Sequence, residues 1–344
     1  MRSPGLTTGG IRLLLLLWAV LAGGCRGAKP AVVEGPAVEV LARVEGQAPA
    51  TITASPTGRL YLTLGTTLYR LRDGAHPLDT VAELGAVATV LHAPAEDEVL
   101  LLVQSSPEIV RWRAGHGIES MATPVKDSVF MDGHYMDRIN LMDLWGTSPR
   151  EVYAVGDHAT ILRYDRRQWS LEANPLLEYA GRGAPLVYRS YLWSVGGDSQ
   201  AVYAAAASSV LSRENGTWSR LRVPDADSIY WVLALGAPGG SYLVGRDAAT
   251  REQVLFYRAA GGAWLRLPGL LQPLRYEPLR GRGQPEGSVV FWTIGGEVVR
   301  LVGKRATIFK RLGLASITGA AVSGHHLYVV GARYDSTVLL RLNL

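Results

Sequence analysis

The sequence contains a single cysteine among its 344 residues, at position 25. One cysteine cannot form an intrachain disulfide bond, and it cannot supply the cysteine pairs of a structural zinc site. Blocks of lysine or arginine are also missing. The 35 basic and 30 acidic residues are interspersed and give a formal charge of +5. Without a concentrated basic surface, we expect no nucleic-acid partner.

No apolar run is long enough to cross a bilayer, which takes about 20 residues. The run that comes nearest, Leu13–Ala22, follows Arg2 and Arg12 and precedes Gly23, Gly24 and Cys25. A basic start, a short apolar core and small residues before the cleavage site are typical of a signal peptide. The small residues before Cys25 resemble a bacterial lipobox. This resemblance implies that 1–24 is removed and that Cys25 carries the lipid.

Residues 25–36 follow the signal peptide and are rich in small residues and proline, which predicts a tether. The rest of the chain, 37–344, is then the folded domain. The predicted location is the bacterial cell envelope, with the lipid anchor as the contact to the membrane. Arg26 rather than aspartate follows the cysteine, which favours the outer membrane.

Motifs for common chemistry are missing from the sequence. It has no G-x-S-x-G, H-E-x-x-H, P-loop, dinucleotide fingerprint or EF-hand string. We therefore predict no catalytic residue, no cofactor and no metal. The best polar cluster, Asp132, His134 and Asp137, is interpreted as a polar turn around Gly133 rather than as a ligand set.

Self-similarity is the strongest feature that is present. A short apolar strand recurs seven times at intervals of 40 to 52 residues, centred on Leu68, Ile109, Ile161, Val210, Val254, Val298 and Val338. A strand ending in a small residue precedes most copies, as in Tyr153–Gly156, and a strand that starts with an aromatic or apolar residue follows. Four antiparallel strands in each unit of roughly 45 residues are the signature of a β-propeller blade. The dipeptide Asn215-Gly216 predicts a tight hairpin turn inside the fourth unit.

The two ends of the chain predict how the ring closes. The seventh unit runs out of sequence after three strands, whereas Ala37–Gly46 is a strand without a unit of its own. An N-terminal strand that completes the last blade also covers an exposed sheet edge. The predicted fold is therefore all-β: a seven-bladed β-propeller with four-stranded antiparallel blades, closed by the N-terminal strand.

The segment Asp143–Trp169 resembles the W-G-[ST]-S-x-x-x-V-[WY]-A-V-G blades of lipid-anchored and secreted bacterial β-propellers, in the style of BNR/sialidase-like repeats. The match is close in the third unit and partial in the fourth, fifth and seventh. The Asp-box of that group is degenerate at Ser212–Trp218, where Glu214 replaces the aspartate. The resemblance implies the fold but no active site, since the arginine triad and nucleophilic tyrosine of sialidases have no recognisable counterparts.

Three long connections, Ala122–Arg138, Leu171–Arg189 and Pro268–Gly287, are predicted to emerge on one face of the ring. Long loops in compact domains are commonly functional, and tyrosine and arginine are enriched at binding hot spots. A structural cap over the ring is the alternative role. The predicted partner-binding residues on these loops are Tyr135, Arg138, Arg182, Tyr188, Arg275, Tyr276, Arg280 and Arg282.

Three functions are compatible with these features. The first is a non-enzymatic scaffold or assembly factor that binds an envelope protein. The second is a lectin or adhesin that binds a surface glycan, which exposed aromatic pairs on the long-loop face would favour. The third is a glycoside hydrolase or lyase, which two facing carboxylates in the channel mouth would favour. We take the scaffold as the leading hypothesis.

Overall fold

The computed structural model describes residues 29–71, 78–104, 106–125, 129–131, 134–136, 139–176 and 191–344. Strands make up nearly all of the regular structure. Strands β1 (Ala31–Glu34) and β2 (Val38–Glu45) come first, and seven sheets follow in chain order. None of the helices in the described ranges has the length and apolarity needed to span a membrane.

Blades one to three occupy the first half of the chain. Blade one contains β3 (Ala50–Ala54), β4 (Leu60–Leu64), β5 (Thr67–Leu71) and β6 (Leu78–Glu83). Blade two contains β7 (Ala88–Ala95), β8 (Glu98–Val103), β9 (Ile109–Arg113) and β10 (Gly117–Met121). A hairpin of β11 (Val129–Met131) and β12 (His134–Met136) precedes blade three. Blade three contains β13 (Leu141–Ser148), β14 (Glu151–Gly156), β15 (Ile161–Tyr164) and β16 (Trp169–Leu171), with a 3-10 turn at Asp157–Ala159.

Blades four to seven follow with the same strand order. Blade four contains β17 (Leu192–Gly197), β18 (Val202–Ala206), β19 (Ser209–Glu214) and β20 (Thr217–Leu221). Blade five contains β21 (Ile229–Ala237), β22 (Gly240–Asp247), β23 (Gln253–Ala259) and β24 (Leu265–Leu267). Blade six contains β25 (Pro278–Gly283), β26 (Val289–Thr293), β27 (Val298–Val302) and β28 (Arg305–Lys310). Blade seven contains β29 (Ser316–Ser323), β30 (His326–Ala332) and β31 (Ser336–Asn343).

The first strand of each blade lies innermost, and neighbouring inner strands contact one another around the whole ring, from β3 to β29 and back to β3. Each repeated apolar strand of the sequence is the third strand of a blade. Asn215 and Gly216, between β19 and β20, both have positive φ angles, 52° and 84°. The predicted seven-bladed propeller of four-stranded antiparallel blades is confirmed, and so is the hairpin turn.

The N-terminal strand closes the ring as predicted. Strand β2 pairs antiparallel with β31, from Val38 opposite Leu342 to Glu45 opposite Ser336. An ion pair of 2.9 Å between Arg43 Nη2 and Asp335 Oδ2 supports the pairing. Blade seven therefore takes its outer strand from the other end of the chain.

The predicted tether contains a strand. Residues Ala31–Glu34 form β1, which pairs parallel with β28 and adds a fifth strand to blade six. Its Val33 packs against the apolar core between blades six and seven. The other three side chains of β1 are exposed, so this short edge strand has no apolar alternation by which it could be predicted.

Five of the seven blades carry a tyrosine in the second strand, and in blades four and five this tyrosine contacts the following blade. The Tyr203 ring of blade four lies edge-on to Trp264 of blade five, with centroids 5.1 Å apart, and its hydroxyl contacts Arg258. In blade five, the Tyr242 hydroxyl donates to the Gly303 carbonyl of blade six (3.0 Å). Burial raises the pKa of Tyr203 to about 12. The second-strand tyrosine thus contributes contacts between blades as well as within its own strand.

One predicted element is wrong. The connection after blade five was placed at Pro268–Gly287, but the inner strand of blade six begins at Pro278, so the loop ends at 277. Arg280 and Arg282 therefore lie on an inner strand rather than on an exposed loop. The sequence Pro278–Gly283, PLRGRG, has no apolar alternation, because its arginines point into the channel and its glycines meet neighbouring strands. An inner strand of this composition carries no strand signal.

Candidate functional site

Several predicted site residues lie outside the described residues: Cys25, Arg138, Arg182 and Tyr188, together with Asp132 and Asp137 of the polar cluster. Tyr135 lies on β12, in the hairpin before blade three, where its backbone pairs with Phe130. Arg275 and Tyr276 lie on the connection between blades five and six. The structure thus brings Arg275 and Tyr276 together and moves Arg280 and Arg282 to a different part of the ring.

The ring has two faces that strand direction defines. We call the end at which the inner strands begin the loop face, because the connections between blades reach it. Each second strand also ends there, so the turns between second and third strands lie on the same face. We call the opposite end, where the inner strands end, the hairpin face. Of the predicted binding loops, the one that is fully described, 268–277, belongs to the loop face.

The connection 268–277 is held firmly on the loop face. The Arg275 amide donates to Glu297 Oε2 (3.2 Å), and Lys310 Nζ donates to the Pro273 carbonyl (2.7 Å). The Tyr276 ring packs on Gly295, where a Cβ would lie 1.8 Å from the ring. The Arg275 guanidinium lies 5.5 Å from the centroid of the same ring. Tyr276 is therefore presented in a fixed orientation, with part of its ring exposed to solvent.

Exposed aromatic side chains of the described residues concentrate on the loop face. Trp193 and Tyr230 lie near the start of inner strands, and Tyr334 lies in the turn between β30 and β31 with 95% of its surface exposed. Ile294, 60% exposed, lies in the turn between β26 and β27. These residues and Tyr276 form what we call the aromatic surface: Trp193, Tyr230, Tyr276, Ile294 and Tyr334.

Part of the aromatic surface borders a groove of about 690 Å³. Tyr276 and Ile294 line it, together with Arg246, which lies opposite Tyr230 in the register of blade five. Arg246 forms an ion pair with Glu277. The groove combines exposed apolar atoms with paired charges, a composition typical of interfaces that bind protein or carbohydrate.

Tyr191 and Trp193 form a stacked pair at the entrance of blade four. Their ring centroids lie 5.3 Å apart at an interplanar angle of 24°. Trp193 lies at a register shift between β17 and β18, where an extra residue bulges from the inner strand. Bulges commonly redirect a side chain in this way.

Two arginines close the central channel. Arg280 Nη1 reaches across from blade six and donates to the Met142 carbonyl of blade three (3.2 Å). Arg282 Nη1 contacts the Leu144 carbonyl and lies 3.1 Å from Asp143 Oδ1. Burial lowers the pKa of the Arg280 guanidinium, and the nearby Asp143 carboxylate partly offsets this effect. The channel is therefore bridged by buried, hydrogen-bonded charges.

Asp143 is the acceptor at the centre of this bridge. Its Oδ2 accepts hydrogen bonds from the Val195 amide (3.0 Å) and the Ser194 hydroxyl (3.1 Å) of blade four. The side chains of Asp143 and Arg282 are each 10% exposed. Asp143 is the one carboxylate on the seven inner strands, and it joins blades three, four and six. Its oxygens are fully engaged in the structural bridge.

A cavity of about 330 Å³ opens on the hairpin face, beyond the arginines. Residues from six blades line it, and among the polar ones are His92, Thr147, Asp198, Arg282 and Gln284. Burial, with a smaller effect of Arg282, lowers the pKa of His92 to about 3. Its Nε2 makes no hydrogen bond to the described part of the chain. His92 is therefore uncharged at neutral pH.

His92 makes the fold sensitive to acid. Because its folded pKa lies below the ordinary value of 6.5, the unfolded chain takes up a proton that the folded chain does not, so stability falls as the pH drops below 6.5. Relative to pH 8, we expect about 2 kcal/mol of unfolding free energy to be lost at pH 5 through this residue. The measurement is urea unfolding of wild type and His92→Asn at both pH values. Equal losses in the two proteins would contradict this assignment.

Groups of three or more histidine, cysteine, aspartate or glutamate side chains in a metal-binding arrangement do not occur among the described residues. The seven inner strands carry one carboxylate, Asp143, which is ion-paired with Arg282. The described residues thus place an exposed aromatic surface at one end of the ring, and at the other a cavity lined by backbone, prolines and a few polar side chains.

Sequence reasoning missed Asp143 and His92, and it placed Arg282 on a loop rather than on an inner strand. Asp143, His92 and Arg282 are far apart in the chain and meet because inner strands of different blades surround one channel. Trp193 and Tyr230 did leave a signal, since each follows another aromatic or apolar residue at the predicted start of an inner strand, in YLWS and SIYWV. At Trp193 the exposed aromatic residue coincides with a bulge of the inner strand, whereas Tyr230 pairs regularly with Arg246.

Comparison with known proteins shows that this chain shares its fold with several solved structures. No protein-family model matches the chain. No curated protein matches it in sequence. A solved streptogramin B lyase superposes with a TM-score of 0.64 at 12% identity, covering 89% of this chain and 98% of its own.

Two further solved structures are similar. YCF48 bound to D1 peptide superposes with a TM-score of 0.57 at 12% identity, covering 92% of this chain and 100% of its own. The WD40 domain of Pan2 from Neurospora crassa superposes with a TM-score of 0.55 at 11% identity, covering 91% of this chain and 98% of its own. At such identities the likeness shows the propeller fold alone: this chain is a seven-bladed β-propeller similar in architecture to a lyase and to peptide-binding and WD40 propellers.

Proposed function

We propose that this protein is a lipid-anchored β-propeller of the bacterial envelope that binds a protein partner through its loop face and catalyses no reaction. The observation that carries the proposal is the placement of the exposed aromatic residues. Trp193, Tyr230, Tyr276 and Tyr334 are the exposed aromatics among the residues whose side chains the structure describes, and all four lie on that face.

The character of these residues supports a protein partner. Tyrosine and tryptophan supply large contact areas at low cost in conformational entropy, and they dominate binding hot spots. The loop that presents Tyr276 is fixed by Glu297, Lys310 and Gly295. A surface that is ordered before binding loses little freedom when the partner arrives. A structural cap would instead be expected to bury these rings.

The similar propellers are consistent with this role. One of them, YCF48, is seen bound to a D1 peptide. The lyase among them shows that the fold also supports catalysis, and fold alone does not decide between the two. We favour binding because Asp143, the one carboxylate of the inner strands, is engaged in the bridge with Arg282.

Replacing three residues of the aromatic surface should abolish partner capture. The variant is Tyr230→Ser, Tyr276→Ser and Ile294→Ser. Each hot-spot truncation typically costs about 2 kcal/mol or more, which is about thirtyfold in affinity. The measurement is co-purification from cross-linked envelopes, quantified by mass spectrometry against wild type.

The matched control replaces three apolar residues that are exposed away from the loop face: Val40→Ser, Leu265→Ser and Val302→Ser. Both triple variants should melt close to wild type, because substitutions at exposed positions rarely change stability much. Loss of the same partner from both variants, or retention in both, would refute the role of the loop face.

Glycan binding is the second candidate, and the stacked pair Tyr191–Trp193 favours it. Paired aromatic rings at a surface suit the flat apolar faces of sugars. Wild type and Trp193→Ala should then differ in retention on immobilised envelope polysaccharide. If wild type is retained on the polysaccharide and Trp193→Ala is not, the glycan is favoured. If wild type co-purifies with a protein that the triple variant at Tyr230, Tyr276 and Ile294 does not capture, the scaffold is favoured.

The anchor has its own test. Cys25→Ala should block lipidation and release the protein from the membrane fraction, because lasting attachment depends on buried acyl chains that contribute about 0.8 kcal/mol per CH₂. The measurement is fractionation of envelopes followed by mass analysis of the N-terminal peptide. A variant that stays with the membrane as wild type does, without an acyl mass, would contradict the lipoprotein assignment.

A further inference from the structure

The cavity on the hairpin face has walls of backbone and proline. Gly197, Gly236 and Gly283 lie at the ends of three successive inner strands and line it. A Cβ on Gly236 would lie 1.6 Å from the Gly197 carbonyl oxygen, and a Cβ on Gly283 would lie 1.6 Å from that of Gly236. The three strands therefore touch through their backbones. The rim carries four prolines: Pro56, Pro94, Pro238 and Pro285.

These features make the cavity rigid. Glycine backbones in direct contact cannot close further, and proline fixes the φ angle of each rim turn. A cavity of this size is at the lower end of the range for small-molecule sites. Because its shape exists before binding, a ligand meets no cost of reorganising the walls.

The inner strands carry more positive than negative charge, because Arg280 and Arg282 stand against the single carboxylate of Asp143 and His92 is neutral. Asp198, which lines the cavity just after the inner strand of blade four, offsets this excess. The capacity to bind an anion therefore rests on the hydrogen-bond donors of Arg282 rather than on net charge. Arg282 lines the cavity. Its contacts with the Leu144 carbonyl and the Asp143 carboxylate both use Nη1. Its Nε and Nη2 donors make no hydrogen bond within the described part of the chain.

A planar anion could accept hydrogen bonds from Nε and Nη2 of Arg282. A guanidinium presents parallel N–H donors that fit the two oxygens of a carboxylate, and such charge-assisted pairs are stronger than neutral hydrogen bonds. The prolines and Trp145 offer apolar contact around the anion. The other acidic group at the cavity, Asp198, is satisfied by the Ala201 amide (3.1 Å) and the Ser241 hydroxyl (2.8 Å), so it does not compete for Arg282.

We propose that the cavity binds a carboxylate on a compact apolar body, with Arg282 as the anchoring residue. The carboxylate comes from a free small molecule or from the end of a peptide chain. This site lies at the opposite end of the ring from the aromatic surface, so the proposal does not depend on the partner-binding role.

The test uses matched probes that differ in charge alone. N-acetylleucine is compared with N-acetylleucinamide, and N-acetyl-alanyl-alanyl-leucine with its C-terminal amide, by titration calorimetry at pH 7. The acids should bind at least about tenfold more tightly than the amides. Binding of the single amino acid places the source among small molecules, and binding of the tripeptide acid alone places it among peptides. Equal binding of acids and amides, or no acid-specific binding, would overturn the proposal.

Two variants locate the site. Ser199→Trp fills the cavity mouth from an exposed turn position and should abolish acid binding, whereas Lys304→Trp, exposed on the same face outside the cavity, should leave it unchanged. Arg282→Lys keeps the charge beside Asp143 but loses the forked donor geometry, and it should weaken acid binding about tenfold or more. Undiminished binding to Ser199→Trp would overturn the assignment even if the Arg282 variant failed to fold.

Discussion

A chain that begins at Gln47, and so lacks β1 and β2, is expected to lose most of its stability and to aggregate. Removing β2 exposes the full length of β31 as a sheet edge, and bare edges pair with other chains. It also uncovers apolar atoms, because Val38, Leu41 and Val44 of β2 pack against the cores on either side of blade seven. The burial lost amounts to roughly 4 kcal/mol, a large part of the stability of a typical domain.

A chain that begins at Ala37 is the control, because it lacks only β1. A structureless tether would contribute nothing, but β1 pairs with β28 and half-buries Val33. We expect its removal to cost about 1 kcal/mol. Urea unfolding of both chains, compared with one that begins at Arg26, measures the difference. Coincident curves for the chains that begin at Ala37 and Gln47 would show that β2 does not close the ring.

Arg282→Met is expected to destabilise the ring by about 3 to 5 kcal/mol, because the Asp143 carboxylate then stays buried without its ion-pair partner. The measurement is urea unfolding at pH 7. The control is Arg311→Met, which removes the exposed ion pair with Glu34 and should cost less than about 1 kcal/mol.

A second substitution should separate the charge from the packing. Asp143→Asn removes the charge but keeps an acceptor for the Val195 amide. Combined with Arg282→Met, it should recover much of the loss, since no unpaired carboxylate remains. A single Arg282→Met variant as stable as Arg311→Met would mean that the bridge across the channel is not a structural element.

The sequence was sufficient for the fold because the blade repeat carries several independent signals. The apolar third strand recurs in all seven blades at intervals of 40 to 52 residues, a tyrosine precedes it in five of them, and the turn at Asn215 and Gly216 marks one hairpin directly. The closing strand could be predicted from a mismatch, three strands at one end and a spare strand at the other. Strand β1 left little signal, because a four-residue edge strand buries too little for its pattern to show.

The candidate sites were harder to predict because they depend on contacts between blades. Tyr276 lies on the connection between blades five and six and its binding role stays a prediction, whereas Arg280 and Arg282 lie in the channel, where their inner strand has the composition of a loop. Asp143 stood in a recognisable blade motif, but nothing local indicates that its partner lies three blades away. Cys25, Arg138, Arg182 and Tyr188 stay predictions.

The most direct measurement of the central claim, that the loop face binds a partner in the envelope, is site-specific photo-crosslinking in cells. Benzoylphenylalanine is introduced at Ile294 on the loop face or at Val302 on the hairpin face, both exposed positions. We predict a light-dependent adduct of discrete mass at Ile294 in the membrane fraction, and none at Val302. An adduct at Val302 alone, or equal adducts at both positions, would contradict the claim.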